Sequence, residues 1–390
     1  MTGLQDKFSV AAGYDIAFGT VDVFFKGLDG MMDAPNPNTA VQMRREHVES
    51  VDSHDVFVAS NYGISTTSAI EWFFVTDPDG VEGKAALSRL GLKNWPEHDH
   101  TRELSAELKR RPLGPAHLEA ERNRINADLK VLNFEPLREE EQNGGRLYTG
   151  PLFVKYNAVL RSFSKVVKLV GDFKRLCQYN MYSTTILVIN SAVVKLSRLM
   201  VPTKVRSMRA FHRASPPSPV GMGSPRPFVV VQVYRGMAGG MLPPVFFSRD
   251  KTASVVQHDG GCAEMGVVEF GFMSTTTDRA VALDYASNGG PSAVFEIQMG
   301  LVDRGADISW LSQYPGEKEV LFAPLTSLEV IGTHVDGECL VVDIRLKVNY
   351  YSSTIEGVSR WRERGRMGGG KCQAGVPSRG CYDSTNLSVP

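Results

Sequence analysis

Two glutamates separated by a single residue stand where a turn leads into an apolar run. The stretch QYPGEKEVLF, Gln313–Phe322, carries them as Glu317 and Glu319. If the chain is extended from Lys318 onward, both carboxylates lie on one side, because the side chains of a strand alternate between its faces. A Pro-Gly pair marks a turn just before them, and loops on a rigid scaffold often carry catalytic groups. The alternative is a solvated strand entrance whose charges flank a hydrophobic strand.

Two further polar clusters stand at predicted strand ends in the same half of the chain. One ends the strand FVVVQVYR and the other ends the strand GVVEFGFM; their members are Tyr234, Arg235, Gly236, Ser274, Thr275 and Thr276. Strand ends that carry an arginine, hydroxyls and a carboxylate pair can meet in one cleft. Arg235 alternatively serves only as a strand-edge charge. The hydroxyls are also placed to cap the helix DRAVALDYAS, and this role is compatible with a place in the cleft.

The residue types in this set indicate the chemistry. A guanidinium such as that of Arg235 is a bidentate donor that suits a phosphate or a diphosphate. Carboxylates beside a sugar stabilise an oxocarbenium-like transition state while a leaving group departs. Together they indicate cleavage of the glycosidic bond of a nucleotide.

The motifs YRG, FMSTTT and EKE stand in that order on successive strand edges. In this order they resemble the Arg-Ser-Glu-x-Glu signature of the arginine-specific mono-ADP-ribosyltransferases. The stretches LYTGPLFVKYNAVLR, YSTTILVINSAVVKL, GGMLPPVFF and YPGEKEVLF are similar to members of that family as well, so the resemblance covers most of Leu147–Leu346. Three motifs in family order are more specific than any one of them.

The resemblance implies a role for each candidate residue. Arg235 would hold a phosphate and the nicotinamide ribose of NAD, and Ser274 would bind near that ribose and orient the catalytic carboxylate. Glu319 would bind the ribose 2′-hydroxyl and stabilise the oxocarbenium ion as nicotinamide leaves. Glu317 would position the guanidinium of the acceptor and take its proton. The other candidates for the NAD-binding edge are Tyr234, Gly236, Thr275 and Thr276.

The implied reaction uses NAD as a substrate, involves no metal and modifies a protein with an exposed arginine. Whether NADP is accepted stays open. Two rival functions are an NAD glycohydrolase, in which water replaces the acceptor, and a non-catalytic module that binds NAD or ADP-ribosylated protein. Retention of Glu317 favours transfer, because hydrolysis does not require a carboxylate that binds guanidinium. The presence of Arg235, Ser274 and Glu319 argues against the binding module.

The family implies an α+β, ADP-ribosyltransferase-like fold of two small, roughly perpendicular β-sheets with a flanking helical N-terminal part. No Gly-x-Gly-x-x-Gly follows a strand, as a dinucleotide-binding parallel sheet would require. Helices are predicted over residues 101–111, 115–132 and 152–170. A further helix is predicted to begin near Ser183, capped by the hydroxyls of Ser183–Thr185. Residues 59–76 are predicted to end in a buried aromatic strand.

The pattern changes to strands in the second half of the chain. They are predicted at FVVVQVYR, GVVEFGFM, SAVFEIQM, KEVLFA, SLEVIG and ECLVVDIRLKV. The domain organisation predicted is an N-terminal accessory region over residues 1–146 and a catalytic domain over 147–348. A flexible insertion rich in Pro, Ser and Arg occupies 209–227, and a basic, disordered tail occupies 349–390.

Composition limits the partners of the chain. Its 390 residues include 43 basic and 43 acidic side chains, and a net charge of zero argues against general binding to nucleic acid or membrane. We expect a cytoplasmic protein, because no signal segment and no membrane span is evident. Five scattered cysteines favour free thiols, with a Cys372–Cys381 disulfide left open. His98 and His100 have a spacing that could bind metal, but a turn is favoured.

Overall fold

Among the described residues, most helices lie in the first half of the chain and most strands in the second. The computed structural model describes residues 18–19, 28, 32, 38–59, 64–92, 110–200, 231–238, 267–287, 292–300, 303–347, 354 and 356. Within these ranges the helices are Thr39–Arg44 (α1), Ser68–Thr76 (α2), Val81–Arg89 (α3), Pro115–Val131 (α4), Glu139–Leu147 (α5), Phe153–Ser162 (α6), Val167–Cys177 (α7), Ser183–Ser197 (α8) and Arg279–Ser287 (α9). Single π-helical turns, Arg45–Glu49 and Tyr148–Leu152, follow α1 and α5.

The described strands range from two to eleven residues in length. They are Phe18–Gly19 (β1), Phe57–Ala59 (β2), Ile64–Thr66 (β3), Val231–Ala238 (β4), Val267–Glu269 (β5), Met273–Thr276 (β6), Ser292–Met299 (β7), Ala306–Asp307 (β8), Glu319–Phe322 (β9), Thr326–Asp336 (β10) and Cys339–Lys347 (β11). β2 and β3 form a hairpin of their own.

The other strands form one hydrogen-bonded series in the order β1-β5-β10-β11-β7-β4-β6-β9-β8. Neighbours are antiparallel except β11 and β7, which are parallel. The series has two parts, β1-β5-β10-β11-β7-β4 and β6-β9-β8. They meet at β4 and β6, where the register pairs Tyr234 with Thr276. The α+β class is confirmed. This junction brings the three motifs on β4, β6 and β9 side by side.

The main hydrophobic cluster lies between the helices and one end of the strand series. It contains Phe74 of α2, Leu129 of α4, Val188 of α8 and Leu321 of β9. A second cluster, which includes Phe295 of β7, packs within the strands. Helices that precede residue 147 therefore share a core with elements that follow it, and the boundary predicted there stays a prediction.

The aromatic stretch SAIEWFFVT is helical, so the strand predicted there is wrong. α2 begins after Thr67, whose Oγ1 accepts a hydrogen bond from the Ile70 N–H at 3.2 Å. Such a cap satisfies one of the free amides at a helix start. Trp72 and Phe74 are buried among the helices. This packing outweighs the preference of aromatic side chains for strands.

The helix predicted over residues 115–132 is confirmed as α4, and the one predicted over 152–170 is wrong as a single helix. The chain bends between α6 and α7 at Lys165, which adopts a left-handed φ of 61°. The left-handed residue interrupts the helical backbone, so α6 ends at Ser162 and α7 begins at Val167.

The helix predicted to begin near Ser183 is confirmed as α8, but its predicted hydroxyl caps are wrong. The Glu46 carboxylate instead accepts hydrogen bonds from the Thr184 N–H at 2.9 Å and the Thr185 N–H at 3.0 Å. A negative charge at this end is also favoured by the helix dipole. Glu46, 138 positions before Thr184, thus caps the helix in place of the local hydroxyls.

Two strand boundaries near the motifs differ from the prediction. β4 continues to Ala238, so Tyr234–Gly236 lies within the strand and not at its end. The stretch GVVEFGFM is divided into β5 and β6, and Ser274–Thr276 belongs to β6. The break arises because the Gly271 N–H donates to the Glu269 carboxylate at 2.9 Å and not to a neighbouring strand.

Several predictions fall outside the described residues. These are the insertion 209–227, residues 101–109 of a predicted helix, the tail 349–390 apart from residues 354 and 356, the histidines at 98 and 100, and the cysteines at 262, 372 and 381. Cys177 and Cys339 are buried free thiols. Within the described ranges, no helix has both the length and the apolar character that a membrane span needs.

Candidate active site

A cleft of about 210 Å³ opens at the junction of β4, β6 and β9. All of the predicted site residues line it: Tyr234, Arg235, Gly236, Ser274, Thr275, Thr276, Glu317 and Glu319. Tyr148 and Phe153, Tyr285 of α9, and Tyr314 also face it. The cleft therefore brings together residues as far apart in the sequence as Tyr148 and Glu319.

Ser274, Arg235 and Glu319 form the centre of the cleft. The register of β6 and β9 pairs Thr276 with Glu319, which makes Ser274 a diagonal neighbour of Glu319 on the same face. Ser274 Oγ donates to Glu319 Oε1 at 2.5 Å, and Arg235 Nη1 donates to the Ser274 carbonyl oxygen at 2.8 Å. Glu319 is only 5% exposed. Its carboxylate is therefore largely desolvated and held in one orientation.

Glu317 reaches the cleft by a route different from the predicted one. It ends a 3₁₀ turn, Pro315–Glu317, and Lys318 adopts a left-handed φ of 47°. The chain is not extended at Lys318, so the predicted alternation of Glu317 and Glu319 along one strand is wrong. The turn nevertheless brings both carboxylates to the cleft. Tyr285 donates its hydroxyl to Glu317 Oε1 at 2.6 Å and so holds this carboxylate in place.

Both carboxylates bind protons more tightly than an ordinary glutamate. Burial, and next the negative charge of Glu319, raises the pKa of Glu317 to about 8. Burial raises the pKa of Glu319 to about 7, although the Ser274 hydrogen bond and the positive charge of Arg235 act in the opposite direction. Acidic groups that titrate near neutrality in a cleft are typical of catalytic sites.

Thr275 and Thr276 support the frame of the cleft. Thr275 Oγ1 donates to the Val320 carbonyl oxygen at 2.7 Å, which joins β6 to β9. Thr276 Oγ1 accepts a hydrogen bond from the Asp278 N–H at 3.0 Å, just before α9. The sequence allowed the hydroxyls either to cap the helix or to face the cleft, and both occur. Thr276 stabilises the start of α9, and Ser274 contacts the buried carboxylate of Glu319.

Gly236 lies where α9 packs closely on β4. A Cβ at this position would stand 1.8 Å from the Ala282 carbonyl oxygen. Tyr234, two residues earlier on the strand, packs against a small cluster that includes Ala282 and Ala286. The missing side chain of Gly236 thus allows α9 to approach and to carry Tyr285 into the cleft.

Gly236→Ala is expected to displace α9 and to lower both stability and activity. Forcing a methyl group against a backbone carbonyl costs about 1–3 kcal/mol or more, and the displacement would separate Tyr285 from Glu317. Urea unfolding and NAD cleavage measure the two effects. Gly171→Ala is the matched control, because no atom lies within 4 Å of its added Cβ and alanine stabilises a helix by roughly 0.5–1 kcal/mol over glycine. Wild-type stability in Gly236→Ala would contradict the close packing.

Tyr285 and Tyr148 are among the cleft residues to which the sequence prediction gave no role. Tyr285 lies in the helix DRAVALDYAS, and only the docking of α9 brings it to Glu317. Tyr148 lies in the stretch LYTGPLF, which contributes to the resemblance. Burial, and next the negative charge of Glu319, raises the pKa of Tyr148. The available signal for Tyr285 was its place on the helix that follows the Ser-Thr-Thr stretch.

The polar groups of the cleft suit a dinucleotide that carries phosphate and ribose. Arg235 offers a cation to a phosphate, and Glu319 offers a carboxylate to a sugar that becomes positively charged. The rings of Tyr148 and Phe153 add apolar surface to the lining of the cleft. The described part of the chain contains no group of three His, Cys, Asp or Glu side chains that could hold a metal ion.

No protein-family model and no curated protein matches the chain. Among solved structures it is similar to the Vis toxin, an ADP-ribosyltransferase of Vibrio splendidus, with 15% identity, a TM-score of 0.33 and coverage of 62% of this chain and 90% of the toxin. The ADP-ribosyltransferase HopU1 of Pseudomonas syringae pv. Tomato DC3000 gives 20% identity, a TM-score of 0.36 and coverage of 59% and 82%. A mutant of the eukaryotic mono-ADP-ribosyltransferase ART2.2, in complex with NAD, gives 20% identity and a TM-score of 0.31, with coverage of 60% of this chain and 79% of that protein.

Proposed function

We propose that the chain transfers ADP-ribose from NAD to arginine side chains of proteins and releases nicotinamide. The observation that carries this proposal is the contact of Ser274 with Glu319 beside Arg235, with Glu317 held by Tyr285 in the same cleft. The order of the three motifs in the sequence supports it independently.

The first step breaks the bond between ribose C1′ and the nicotinamide nitrogen. The electron pair of that bond leaves with nicotinamide, and positive charge develops on the ribose. Arg235 binds a phosphate and so places the ribose beside Glu319. Glu319 accepts a hydrogen bond from the ribose 2′-hydroxyl and stabilises the developing charge. The Ser274 hydroxyl keeps that carboxylate oriented before the substrate arrives.

The second step joins the acceptor to C1′. A nitrogen of the arginine side chain attacks C1′, and the proton that it loses passes to Glu317. Because the pKa of a guanidinium is very high, a base must be held close to it during the attack. The hydrogen bond from Tyr285 occupies one oxygen of Glu317 and limits the rotation of the carboxylate.

An NAD glycohydrolase is the second candidate. Only Glu319, Ser274 and Arg235 are needed for nicotinamide to leave, and water can then attack C1′. The position of Glu317 beside Glu319 favours the transferase, because a second carboxylate raises the electrostatic cost of the cleft and hydrolysis derives no benefit from it. A module that only binds NAD or ADP-ribosylated protein would require neither carboxylate to be ionised.

Incubation of the pure protein with labelled NAD and agmatine, a small guanidinium compound, tests the proposal. Release of nicotinamide together with an ADP-ribosyl-agmatine adduct is the expected result. Nicotinamide release with no adduct would replace the transferase by the glycohydrolase. Neither product, with NAD still bound in a direct binding measurement, would establish the binding module instead.

The pH dependence of the two steps should differ. Cleavage of NAD requires ionised Glu319, so its rate is expected to rise with pH through about 7. Transfer also requires ionised Glu317, so the transfer rate should continue to rise through about 8. Nicotinamide release without acceptor and adduct formation with agmatine, each measured over this pH range, provide the comparison. Coincident curves would contradict separate roles for the two carboxylates.

A further inference from the structure

A buried ion pair in the helical front of the chain lies next to the turn that carries Glu317. Glu71 of α2 and Arg110 are 1% and 2% exposed. Arg110 Nη1 donates to Glu71 Oε1 at 3.2 Å, and Nη2 contacts the other carboxylate oxygen. The guanidinium also stacks on the Phe74 ring, 4.4 Å from the ring centroid. These contacts hold Arg110 in one orientation, with its Nε directed toward Gln313.

Gln313 is fully buried, and each of its four polar groups is hydrogen bonded. Its side-chain Oε1 accepts from Arg110 Nε at 2.6 Å, and Nε2 donates to the Arg146 carbonyl oxygen at 2.8 Å. Its backbone N–H donates to Thr149 Oγ1 at 3.1 Å, and its carbonyl accepts from the Arg111 N–H at 2.5 Å. Every one of these partners lies between residues 110 and 149.

The segment 313–318, called here the glutamate turn, extends from this anchor to the cleft. The Glu317 N–H donates to the Tyr314 carbonyl oxygen at 3.0 Å, and the Lys318 N–H donates to the Pro315 carbonyl oxygen at 3.2 Å. A Cβ on Gly150 would stand 2.4 Å from Gln313 Nε2, so the glycine lets the glutamine lie directly against the chain. Movement of Gln313 would therefore move the base of the turn.

Glu319 is held by a different set of contacts. It belongs to β9, which pairs with β6 on one side and with β8 on the other. These ladders include none of the contacts of Gln313. The two carboxylates of the cleft thus have separate supports: the strands hold Glu319, and the glutamate turn holds Glu317.

We propose that Gln313 is a positioning residue for the arginine acceptor, through which Arg110 and Glu71 hold the glutamate turn in its working conformation. The proposal rests on the function proposed above and deepens it. Residues in the predicted accessory region would then support the acceptor site without touching the substrate. NAD cleavage would depend on them much less than transfer does.

Gln313→Met and Arg110→Lys test the two ends of one hydrogen bond. Methionine is similar in size to glutamine but makes neither side-chain hydrogen bond, whereas lysine keeps a positive charge beside Glu71 and lacks the Nε donor. Each variant is expected to raise KM for agmatine about tenfold while NAD cleavage stays within about twofold. The double variant should be no worse than Gln313→Met, because residues that act through one contact are not additive.

Amide hydrogen exchange over residues 311–318 provides a measurement that does not depend on activity. Both variants are expected to accelerate exchange at the Glu317 and Lys318 amides, which are bonded inside the turn. Leu129→Ala is the control for general destabilisation, because Leu129 is fully buried in α4 and has no side-chain hydrogen bond to lose. It should lower cleavage and transfer in equal proportion.

The outcomes separate this proposal from the function on which it rests. A wild-type protein that forms no adduct with agmatine refutes the transferase, whatever the variants do. An active wild type whose Gln313→Met and Arg110→Lys variants lose cleavage and transfer equally, with unchanged exchange in the glutamate turn, refutes the positioning role alone. If Gln313→Met does not fold, the milder Arg110→Lys variant decides by the same criteria.

Discussion

Glu319→Gln is expected to lower NAD cleavage and arginine transfer together by at least about a hundredfold. The amide of glutamine has the shape of the carboxylate and can still accept the Ser274 hydroxyl, so the geometry of the cleft should be kept. What it lacks is the negative charge that stabilises the positive ribose. Steady-state rates of nicotinamide release and of adduct formation measure the two losses.

Stability separates this chemical loss from unfolding. Because burial raises the pKa of Glu319 from 4.5 to about 7, the folded protein binds more protons than the unfolded chain between these pH values. Stability therefore falls as pH rises through this window. Glu319→Gln removes this dependence, and its unfolding midpoint at pH 8 should equal or exceed that of the wild type. A lower midpoint with partial activity would show that the residue serves the fold more than the reaction.

Glu329→Gln serves as the matched substitution outside the cleft. Glu329 lies on β10 and pairs with Arg345 at 3.4 Å near the surface, and pairs of this kind contribute about 0–1 kcal/mol. Both activities are expected to stay within about twofold of the wild type. A large loss here would indicate that glutamate-to-glutamine changes act on the protein non-specifically.

Glu317→Gln is expected to suppress transfer to agmatine by roughly a hundredfold or more and to spare most NAD cleavage. Removal of a general base typically costs about 10²–10⁴ in rate, and the neutral amide cannot take the guanidinium proton. Tyr285 can still donate to the new carbonyl oxygen, so the glutamate turn should keep its conformation. The measurement is the ratio of adduct formed to nicotinamide released at saturating agmatine.

The same variant should leave the ionisation of Glu319 almost unchanged. The pKa of Glu317, about 8, is higher than that of Glu319, about 7, so Glu317 is still mostly protonated and neutral at the pH where Glu319 ionises. A neutral amide in its place should therefore leave the rise of NAD cleavage with pH near 7. An equal loss of cleavage and transfer would disprove the division of labour between the carboxylates. A shift of the cleavage profile to lower pH would show that Glu317 already carries its negative charge where Glu319 ionises in the wild type.

The central residues of the cleft could be predicted because their reactive side chains belong to short sequence motifs. Arg235, Ser274 and Glu319 stand on strands whose alternating or apolar patterns are local features, and the order of the motifs is visible without a fold. Helix and strand boundaries were less reliable. The aromatic stretch of α2 was predicted as a strand, since only the helices around it reveal how Trp72 and Phe74 are buried.

The predictions that failed depended on contacts between distant parts of the chain. The cap of α8 comes from Glu46, and no local pattern near Ser183 indicates it. The break between β5 and β6 depends on the side chains of Glu269 and Asn157, which accept hydrogen bonds from the Gly271 and Phe272 amides in place of a strand ladder. The left-handed conformation of Lys318 follows from the 3₁₀ turn before it, which the Pro-Gly pair indicates only in general terms.

For this protein, the sequence by itself determined which chemical groups are present, in which order, and which elements carry them, because motif and periodicity are properties of neighbouring residues. Only the tertiary structure decided that Glu317 is held by Tyr285 and that Gln313 ties the glutamate turn to Arg110. It also decided the raised pKa values of the two glutamates, because desolvation depends on everything packed around a carboxylate.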